Sequence, residues 1–537
     1  MSRRRAAALC ALGVTLIITA FAACGAEQAE DAMSGAYADD DDYPGANGGG
    51  TSTGSPGDAG VDAPPEQELE SSFGSPVATG RYVWITNPDS GRVAFIDAAT
   101  LQIEVVDAGN APTYLAAIPD PDDDVAIVLN VLSLDATILR ADDGSLTALS
   151  LPVPSGGNSW AVSSDGRWAT AWTDARGLDS PDPIDGYQDI TVLDLAAGAE
   201  QATALSVGYR PVLLAYDDQG SRLFAVTQDG ITIVDLRGGD PMVADNVPLT
   251  DDPLEDVTTR DVAITPDGTL ALVRRDGEAS VDIFSLTDES QTSIMLPDAV
   301  TDMDLSEAGD VAVAVIRNTG QVALLRLPDV VSAPDSYGLF DVAGTVIGSV
   351  SLASASPTAF LYTNALDSPV LTVFDSSLAS PAPRSILLHA PVQAVFPTAD
   401  GSHAVVTHQS IGSSSSYPAA FSLVPVEAEL PSKIAGLDAP PVSIAVAPNG
   451  SHTLIATGDE LHPAYRMVVA SMPSLQIETH ELASRPISAG IVAGPGRGYV
   501  AQHHPDGRIT FIDFATGEIR TITGFELATQ VVNGSKP

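Results

Sequence analysis

From about residue 82 to the C-terminus, apolar and polar residues alternate in short runs that are separated by tight-turn residues. Alternation with a period of two is typical of β-strands with one buried face. The turns contain Asp-Gly or Asn-Gly, which tolerate a left-handed backbone and join antiparallel strands over a short distance. Three clear examples of a strand with such a turn are SWAVSSDGR (159–167), DVAITPDGT (261–269) and SIAVAPNGS (443–451). The pattern therefore predicts an all-β chain of consecutive hairpins.

The strands are organised in a unit that returns roughly every 45 residues, a period typical of repeat proteins. Its two clearest copies are YVWITNPDSGRVAFIDAATLQIEVVD (82–107) and YVAQHHPDGRITFIDFATGEIRTIT (499–523). Repeats of this length that are built from strands alone predict a β-propeller. Because about ten opening strands can be counted, we expect one ring of about eight to ten four-stranded blades over residues 79–537. A smaller ring with some blades counted twice, or two propellers that share the repeat, are the alternatives.

The two ends of the repeat array differ from the other units in complementary ways. The first unit begins directly with YVWITN (82–87) and lacks a recognisable opening strand, whereas FELATQVV (525–532) follows the last unit as a surplus strand. We expect this C-terminal strand to complete the first blade and close the ring, because closure leaves no exposed strand edge.

The first unit also resembles a known repeat. YVWITN (82–87), followed by VAFID (93–97) and Thr100, is similar to the YVTN-type (YncE-like) β-propeller repeat. Trp84 and Ile85 interrupt the first block of that family's pattern, and the middle units diverge strongly from it. The resemblance implies a propeller whose relatives are mostly non-catalytic binding or scaffold proteins on bacterial surfaces and in the periplasm.

The N-terminus has the pattern of an export signal over residues 1–23. Arg3–Arg5 form a positive start, and an apolar stretch without charge follows from Ala6. The sequence FAAC (21–24) resembles the lipobox of bacterial lipoproteins, in which the cysteine becomes the lipidated first residue. The sequence AFA (20–22) fits cleavage by an ordinary signal peptidase, which is the alternative.

Cysteine usage favours lipidation of Cys24. The chain has two cysteines, and the other one, Cys10, lies inside the predicted signal. An exported domain without thiols has no disulfide, so a cysteine at the end of the signal is best explained by attachment of lipid. Gly25, rather than Asp, follows the cysteine, and by resemblance to lipoproteins this favours the outer membrane, on its periplasmic or its outer side.

Residues 24–78 differ in composition from the repeat array. The segment is rich in Gly, Ser, Pro, Asp and Glu and contains no Lys or Arg. Such a segment buries too little apolar surface to offset the entropy of ordering, so we expect a disordered acidic tether.

The charge of the chain excludes one class of partner. The sequence contains 24 Lys and Arg against 70 Asp and Glu, a net charge of −46. Binding to the phosphate backbone of nucleic acids requires a basic surface, which this composition does not provide. We interpret the acidity as a solvated surface that keeps a large domain soluble.

Standard catalytic motifs are missing from the sequence, so we predict no catalytic residue and no cofactor. All eight histidines lie between His389 and His504. When the second strands of the last three units are aligned, His408, Gly458 and His503 occupy the same position. Imidazole and carboxylate are common metal ligands. The weak metal candidates are His408, His503, His504 and Asp459 for Zn²⁺, and Asp174, Asp179, Asp182 and Asp185 in a long loop for Ca²⁺. Unligated surface histidines and solvated loop carboxylates are the simpler interpretation, and we predict no metal site.

Three functional classes fit these observations. The leading hypothesis is a non-catalytic, lipid-anchored binding or scaffold propeller of the bacterial cell envelope, whose partner is an envelope protein, a glycan or a small ligand. The alternatives are a hydrolase of the lactonase type, with its site in the axial channel, and a structural protein of a surface layer. A propeller fold supports all three, because fold does not determine activity.

Overall fold

The alternating segments form ten sheets of four consecutive antiparallel strands, and a fifth strand joins the first sheet. The computed structural model describes residues 73–524, apart from 121–123, 143–144, 179, 251, 253–254, 366, 410–414 and 428–429, and a short strand at 531–532. The prediction of an all-β propeller with about eight to ten four-stranded blades is confirmed, and the ring has ten.

The strands are numbered in chain order, four to a blade. Blades 1 to 5 consist of β1 (Val77–Ala78), β2 (Tyr82–Asn87), β3 (Arg92–Asp97), β4 (Ile103–Asp107); β5 (Pro112–Ile118), β6 (Asp124–Asn130), β7 (Asp135–Asp142), β8 (Ser145–Pro152); β9 (Ser159–Val162), β10 (Trp168–Trp172), β11 (Asp189–Asp194), β12 (Gln201–Ser206); β13 (Leu213–Tyr216), β14 (Arg222–Val226), β15 (Gly230–Asp235), β16 (Met242–Pro248); β17 (Arg260–Ile264), β18 (Leu270–Arg275), β19 (Ser280–Ser285), β20 (Gln291–Met295).

Blades 6 to 10 consist of β21 (Asp302–Leu305), β22 (Val311–Ile316), β23 (Gln321–Arg326), β24 (Gly338–Asp341); β25 (Ser349–Leu352), β26 (Thr358–Tyr362), β27 (Val370–Asp375), β28 (Arg384–Leu387); β29 (Val392–Pro397), β30 (His403–His408), β31 (Ala419–Pro425), β32 (Lys433–Leu437); β33 (Pro441–Val446), β34 (His452–Thr457), β35 (Arg466–Ser471), β36 (Gln476–Glu481); β37 (Pro486–Val492), β38 (Arg497–Gln502), β39 (Arg508–Asp513), β40 (Ile519–Thr523). The remaining elements are β41 (Val531–Val532), two 3₁₀ turns (Ala175–Gly177 and Val257–Thr259) and the one-turn helix α1 (Asp329–Ser332).

Within each blade, the first strand lies at the centre of the ring and the fourth lies outside. First strands of successive blades contact one another, for example β21 with β25 and β33 with β37. Because consecutive strands are antiparallel, their links fall alternately on two faces. The turn face carries the links from first to second and from third to fourth strands, such as 163–167. The loop face carries the links from second to third strands, such as 173–188, and the links from each blade to the next.

The middle strands are buried on both sides because neighbouring blades cover them. All residues of β22 (VAVAVI) and β31 (AAFSLVP) are buried, whereas the outer strands β36 and β40 expose part of their side chains. Each apolar cluster joins two blades. Leu272 and Ile283 of blade 5, for example, pack with Ala312 and Leu325 of blade 6. Apolar burial between blades is therefore the main contribution to stability.

The turn glycines have the left-handed backbone that the sequence predicts. Gly166, Gly268 and Gly450 have φ values of +70°, +63° and +68°. A Cβ atom at Gly268 would lie 2.7 Å from the ring of Phe224 in the preceding blade. These turns therefore require glycine both for their backbone conformation and for the close packing of blades.

Basic side chains join neighbouring blades on the turn face. Arg222 donates to the carbonyl oxygen of Asp267 at 3.1 Å, and Lys433 donates to that of Leu475 at 2.7 Å. The same kind of bond joins Arg140 to Leu195 and Arg384 to Val426. We call these contacts inter-blade bonds. The chain thus places several of its few basic groups between blades, where each one satisfies a backbone carbonyl.

The ring closes through direct contacts between blade 10 and blade 1. Arg497 donates to the carbonyl oxygen of Ala98 at 2.7 Å, and the N–H of Gly494 donates to the carbonyl oxygen of Gly80 at 3.1 Å. Apolar side chains of the two blades form one buried cluster. The interface is therefore of the same kind as those between the other blades.

The C-terminal strand joins the first blade, as predicted, but at a different place. β41 pairs in parallel with the outermost strand β4, with Val531 opposite Val105. The inner place that we expected it to fill is occupied by β1, whose Ala78 pairs with Val83 of β2. The expectation that the first unit lacks an opening strand is therefore wrong. A strand of two residues is too short for alternation to reveal it.

The folded region includes the last part of the predicted tether. Phe73 is 6 % exposed and belongs to the apolar cluster of blades 1 and 10. The N–H of Gly74 donates to the carbonyl oxygen of Thr86 at 3.1 Å. The propeller thus begins at or before residue 73 and not at residue 79. The predicted signal and Cys24 lie outside the described residues, and among the described ones no helix is long and apolar enough to cross a bilayer.

Candidate functional site

The loop face is the candidate binding surface because it carries the longest link of the ring and two further long ones. Residues 173–188 connect β10 to β11, residues 409–418 connect β30 to β31, and residues 458–465 connect β34 to β35. Most links on the turn face are tight turns. Loops of variable length on a rigid sheet are the usual place for recognition, because the sheet holds the loop ends in fixed positions. The metal candidates that the structure describes, which are all except Asp179, are on this face, in the loops or at a strand end.

His408 is the last residue of β30 and is a buried structural residue, only 3 % exposed. Its Nδ1 lies 3.1 Å from the carbonyl oxygen of Pro391, and its Nε2 lies 2.7 Å from Ser422 Oγ. Burial lowers the pKa of His408 below its ordinary value of 6.5. Both ring nitrogens are thus engaged in the interior of blade 8, and neither faces a ligand.

His408 and His503 do not lie at the same position along their strands, contrary to the predicted alignment. The second strands of blades 8, 9 and 10 all have six residues, so their last residues, His408, Thr457 and Gln502, lie at one level. The predicted alignment of His408 with Gly458 and His503 is therefore one residue out.

Other blades place a different polar residue at the level of His408. In blade 10, Gln502 donates to Thr510 Oγ1 at 2.7 Å, and in blade 2, Asn130 donates to Thr137 Oγ1 at 2.9 Å. Histidine, glutamine and asparagine thus have the same role, because each forms a hydrogen bond with a hydroxyl group inside its blade. Comparing the strand ends of several blades could have revealed this role from the sequence.

The remaining members of the histidine group organise their own loops. Asp459 Oδ1 accepts the backbone N–H of His462 at 2.7 Å and lies 3.0 Å from His462 Nδ1. His504 Nδ1 accepts the N–H of Asp506 at 3.1 Å. The N–H of His503 donates to Arg485 of the preceding link at 2.8 Å. These contacts stabilise turns in two neighbouring blades.

The aspartates of the long loop 173–188 are likewise engaged locally. Asp174 caps a 3₁₀ turn and pairs with Arg176 at 2.8 Å. Asp182 accepts the N–H of Ile184 and Asp185 accepts that of Tyr187, both at 2.9 Å. The fourth predicted ligand, Asp179, lies outside the described residues.

Arg210, from the link that enters blade 4, fastens this loop to the ring. Its guanidinium donates to the carbonyl oxygens of Asp182 at 2.9 Å and Asp185 at 3.3 Å. The loop therefore has a defined shape. Across the residues that the structure describes, no three His, Cys, Asp or Glu side chains are grouped so as to hold a metal ion.

Exposed apolar side chains collect on the loop face. The five most exposed ones in the described part of the chain are Ile184 (87 %), Leu461 (85 %), Leu132 (77 %), Leu387 (73 %) and Met295 (66 %). The first three lie in links between second and third strands, and the other two end fourth strands, so all five are on the loop face. The next in order, Leu430 and Met242, lie on the turn-face side.

A groove of about 660 Å³ opens between blades 4 and 5, and six of its thirteen lining residues carry carboxylates. Glu255 accepts from Arg260 Nη1 and from Arg275 Nε, each at 3.0 Å. Arg275 also donates to Asp282 at 2.7 Å. Burial would raise the pKa of Glu255, but hydrogen bonds from Thr250 and Arg275 and the charge of Arg260 hold it below its usual value. The groove is therefore bounded by an ion-pair network of blade 5 and the link that enters it.

The axial channel is the place where a hydrolase site would lie. Its carboxylates in β21, Asp302 and Asp304, accept the backbone N–H groups of Val350 and Leu352 in the next blade, each at 2.8 Å. Burial raises the pKa of both aspartates. The ten first strands contain no histidine. These two carboxylates therefore link neighbouring inner strands and have no adjacent imidazole on those strands.

Comparisons with known proteins do not assign the chain to a family. No protein-family model matches the chain, and no curated protein matches it. Among solved structures, dihydro-heme d1 dehydrogenase NirN in complex with DHE is similar over 67 % of this chain and 73 % of that one, at 14 % identity and a TM-score of 0.41. Kuenenia stuttgartiensis hydrazine synthase is similar over 58 % and 95 %, at 15 % identity and a TM-score of 0.34. A eukaryotic initiation factor is similar over 72 % and 96 %, at 12 % identity and a TM-score of 0.49. At these identities the similarity concerns the fold alone.

Proposed function

We propose that this protein is a lipid-anchored, non-catalytic binding propeller of the bacterial cell envelope, and that its loop face recognises an envelope macromolecule. The observation that carries the proposal is the position of Ile184, Leu461 and Leu132, which are the three most exposed apolar side chains described and all lie in loop-face links. Apolar residues surrounded by polar surface are typical of the centres of protein interfaces.

The spacing of these side chains favours a large partner. They belong to blades 2, 3 and 9, so a small molecule would not contact them together. A protein interface of ordinary size covers roughly 800 Å² on each partner and spans several loops. The network of Arg210, Asp182 and Asp185 holds the loop that carries Ile184 in one conformation, which lowers the entropy cost of binding.

The N-terminal sequence supports the anchor and the location. Attachment at Cys24 would leave roughly 50 residues between the lipid and the propeller, and a flexible chain of that length reaches roughly 40 Å. The propeller could then contact partners away from the membrane surface.

The resemblance to YVTN-type propellers supports the non-catalytic role. The residues that carry it, 82–87 and 93–97, form the second and third strands of blade 1, and the other clear copy forms those of blade 10. We place the chain beside that family on this resemblance.

The loop face is tested by site-specific photo-cross-linking in the cells that make the protein. A photoreactive amino acid is introduced singly at Ile184 or Leu461 on the loop face and, as matched controls, at Leu430 or Met242 on the turn-face side. All four positions are at least 60 % exposed. We expect one discrete adduct with another envelope molecule from the loop-face positions and none from the controls.

Equal adducts from both faces would contradict recognition by the loop face. Adducts that contain only further copies of this chain would favour the surface-layer alternative. A purified chain that hydrolyses lactone or ester substrates, and loses that activity in an Asp302→Asn variant, would favour the hydrolase alternative.

A further inference from the structure

A separate cavity lies on the turn face between blades 9 and 10. Its volume of about 430 Å³ is within the range of small-molecule sites. The walls include Pro448 and Pro495 from the first turns of the two blades, Ile491, and the rings of His452 and Phe514. No Asp, Glu, Lys or Arg lines the cavity, although the chain carries a net charge of −46. This is therefore an uncharged pocket on a strongly acidic protein.

The pocket lies where two other blades place an arginine that makes an inter-blade bond. His452 is the first residue of the second strand in blade 9. In blades 4 and 10 the same place holds Arg222 and Arg497, which reach the next blade and donate to the carbonyl oxygens of Asp267 at 3.1 Å and Ala98 at 2.7 Å. Since an imidazole is shorter than a guanidinium side chain, the space between blades 9 and 10 stays open.

The two rings of the pocket are stacked on each other, and we call this pair the aromatic wall. The centroids of His452 and Phe514 lie 4.3 Å apart, and their planes differ by 8°. Two prolines and an isoleucine complete an apolar lining. A lining of this kind favours a flat apolar group, which can stack on the rings or pack against the prolines.

The hydrogen bonds around His452 determine which ring nitrogen carries the proton. Asn449 Oδ1 accepts the N–H of Ser451 at 3.0 Å and its hydroxyl at 2.7 Å. Because the Ser451 hydroxyl donates to Asn449, its oxygen accepts from His452 Nδ1, which lies 2.9 Å away. In the neutral ring, Nε2 then has a lone pair and acts as an acceptor. No described residue donates to it. Burial lowers the pKa of His452, which keeps the ring neutral near pH 7.

We propose that this pocket binds a neutral aromatic molecule with one N–H or O–H donor, of the indole or phenol class. The aromatic group packs against the prolines and the aromatic wall, and its donor bonds to His452 Nε2 in the plane of the imidazole. A cationic or anionic ligand would find no opposite charge in the lining. The site lies on the face opposite the loop face, so it is independent of the proposed macromolecular partner and of the lipid anchor.

Binding is tested with two probes that differ in one hydrogen-bond donor. Indole has a ring N–H, whereas 1-methylindole has nearly the same shape and lacks it. The full-length Cys24→Ser chain is used because it needs no detergent, which would absorb both probes. For a ligand of this size we expect a Kd for indole on the order of 0.1–1 mM, measured by saturation-transfer NMR. The methylated probe should bind roughly five-fold more weakly, which corresponds to one neutral hydrogen bond.

Three variants separate the parts of the site. His452→Phe keeps the aromatic wall and removes the acceptor, so the two probes should bind equally. His452→Arg restores the side chain that blade 10 has at this place and should abolish binding of both. His403→Phe is the matched control, since His403 occupies the same place in blade 8, bonds to Ser402 in the same way at 2.9 Å, and does not line this pocket. It should leave both affinities unchanged.

Two results would overturn the proposal. One is the absence of indole binding at millimolar concentration in a chain whose thermal unfolding is normal. The other is a preference for indole over 1-methylindole that survives in His452→Phe or disappears in His403→Phe. If His452→Phe lowers the unfolding temperature, the His452→Arg variant replaces it as the test. Indole binding that persists in His452→Arg would show that indole binds outside this pocket and would overturn the proposal.

Discussion

The imidazole Nε2 of His408 lies 2.7 Å from Ser422 Oγ inside blade 8. The serine is fully buried, and the histidine is almost so. Asn130 with Thr137, and Gln502 with Thr510, make the corresponding contacts in other blades. Near the loop face, these blades thus use a polar pair to satisfy groups that apolar packing would leave without a partner.

The first prediction concerns the cost of removing this pair. His408→Ala should lower the free energy of unfolding by about 1–3 kcal/mol, because it leaves the Ser422 hydroxyl buried without its partner. His408→Gln should cost less than half as much, since blade 10 uses glutamine at this level. Urea-induced unfolding measures both values. The control is His389→Ala at an exposed histidine, for which we expect a change within about 0.5 kcal/mol.

The second prediction is a dependence of stability on pH that His408 causes. Burial lowers its pKa in the folded chain, whereas the unfolded chain takes up a proton near the ordinary value of 6.5. Between these two values only the unfolded state is protonated, so stability falls as the pH falls below about 6.5, by at most about 1.4 kcal/mol per pH unit. The loss between about pH 7.5 and about pH 5.5 should be smaller in His408→Gln than in the parent chain.

Comparing the two chains removes contributions from other groups. His403 and His452 have lowered pKa values and act in the same direction, whereas the raised pKa values of Asp302 and Asp304 act in the opposite one. All four are present in both chains. An identical pH slope in the two chains would show that His408 titrates as an ordinary exposed histidine.

The third prediction concerns ring closure by Arg497. Its guanidinium bonds to Ala98 at 2.7 Å and to Asp513 at 3.3 Å, and the side chain is 18 % exposed. Arg497→Ala should lower the free energy of unfolding by about 1–3 kcal/mol, because it leaves a carbonyl and a carboxylate without their donor. Arg520→Ala in the same blade is the control. Arg520 pairs with Glu518 on the surface, so a change within about 0.5 kcal/mol is expected. Equal losses in the two variants would argue against a special role of the closing contact.

The fourth prediction compares the two ends of the chain. Removing residues 1–78 deletes β1 and the buried Phe73 and exposes the inner edge of β2, so we expect a loss of several kcal/mol. Removing residues 525–537 deletes a two-residue strand on the outer edge of blade 1, which should cost about 1 kcal/mol or less. Thermal unfolding of the two truncated chains shows which truncation lowers the stability more. The reverse order would mean that the C-terminal segment closes the ring.

The fifth prediction concerns the anchor. Cys24→Ser should move the protein from the membrane fraction to the soluble fraction without changing its unfolding temperature, because the predicted tether separates the cysteine from the first strand of the propeller. Labelling of cells with a radioactive fatty acid checks the lipid directly. A parent chain that takes up no label, together with a variant that still sediments with membranes, would exclude lipidation at this residue.

The class of fold and the approximate number of blades could be predicted from the sequence. Alternation, Asp-Gly and Asn-Gly turns and the repeat period arise from local physics, since strand pattern and turn chemistry depend on neighbours in the chain. Gly166 and Gly450 have the backbone that their turns required. The export signal and Cys24 are also sequence features, and they stay predictions.

Which side chains contact one another depends on the tertiary structure. His408 has the spacing of a surface ligand in the sequence, yet the strands packed around it bury it beside Ser422 and engage both of its nitrogens. Likewise, β1 is too short to be visible in the pattern, although it occupies the inner place of blade 1. The pocket at His452 likewise depends on a neighbouring blade, because Pro495 and Phe514 of blade 10 form part of its lining. Each outcome depends on contacts between segments distant in the chain, and the alternation of residues within one strand carries no information about such contacts.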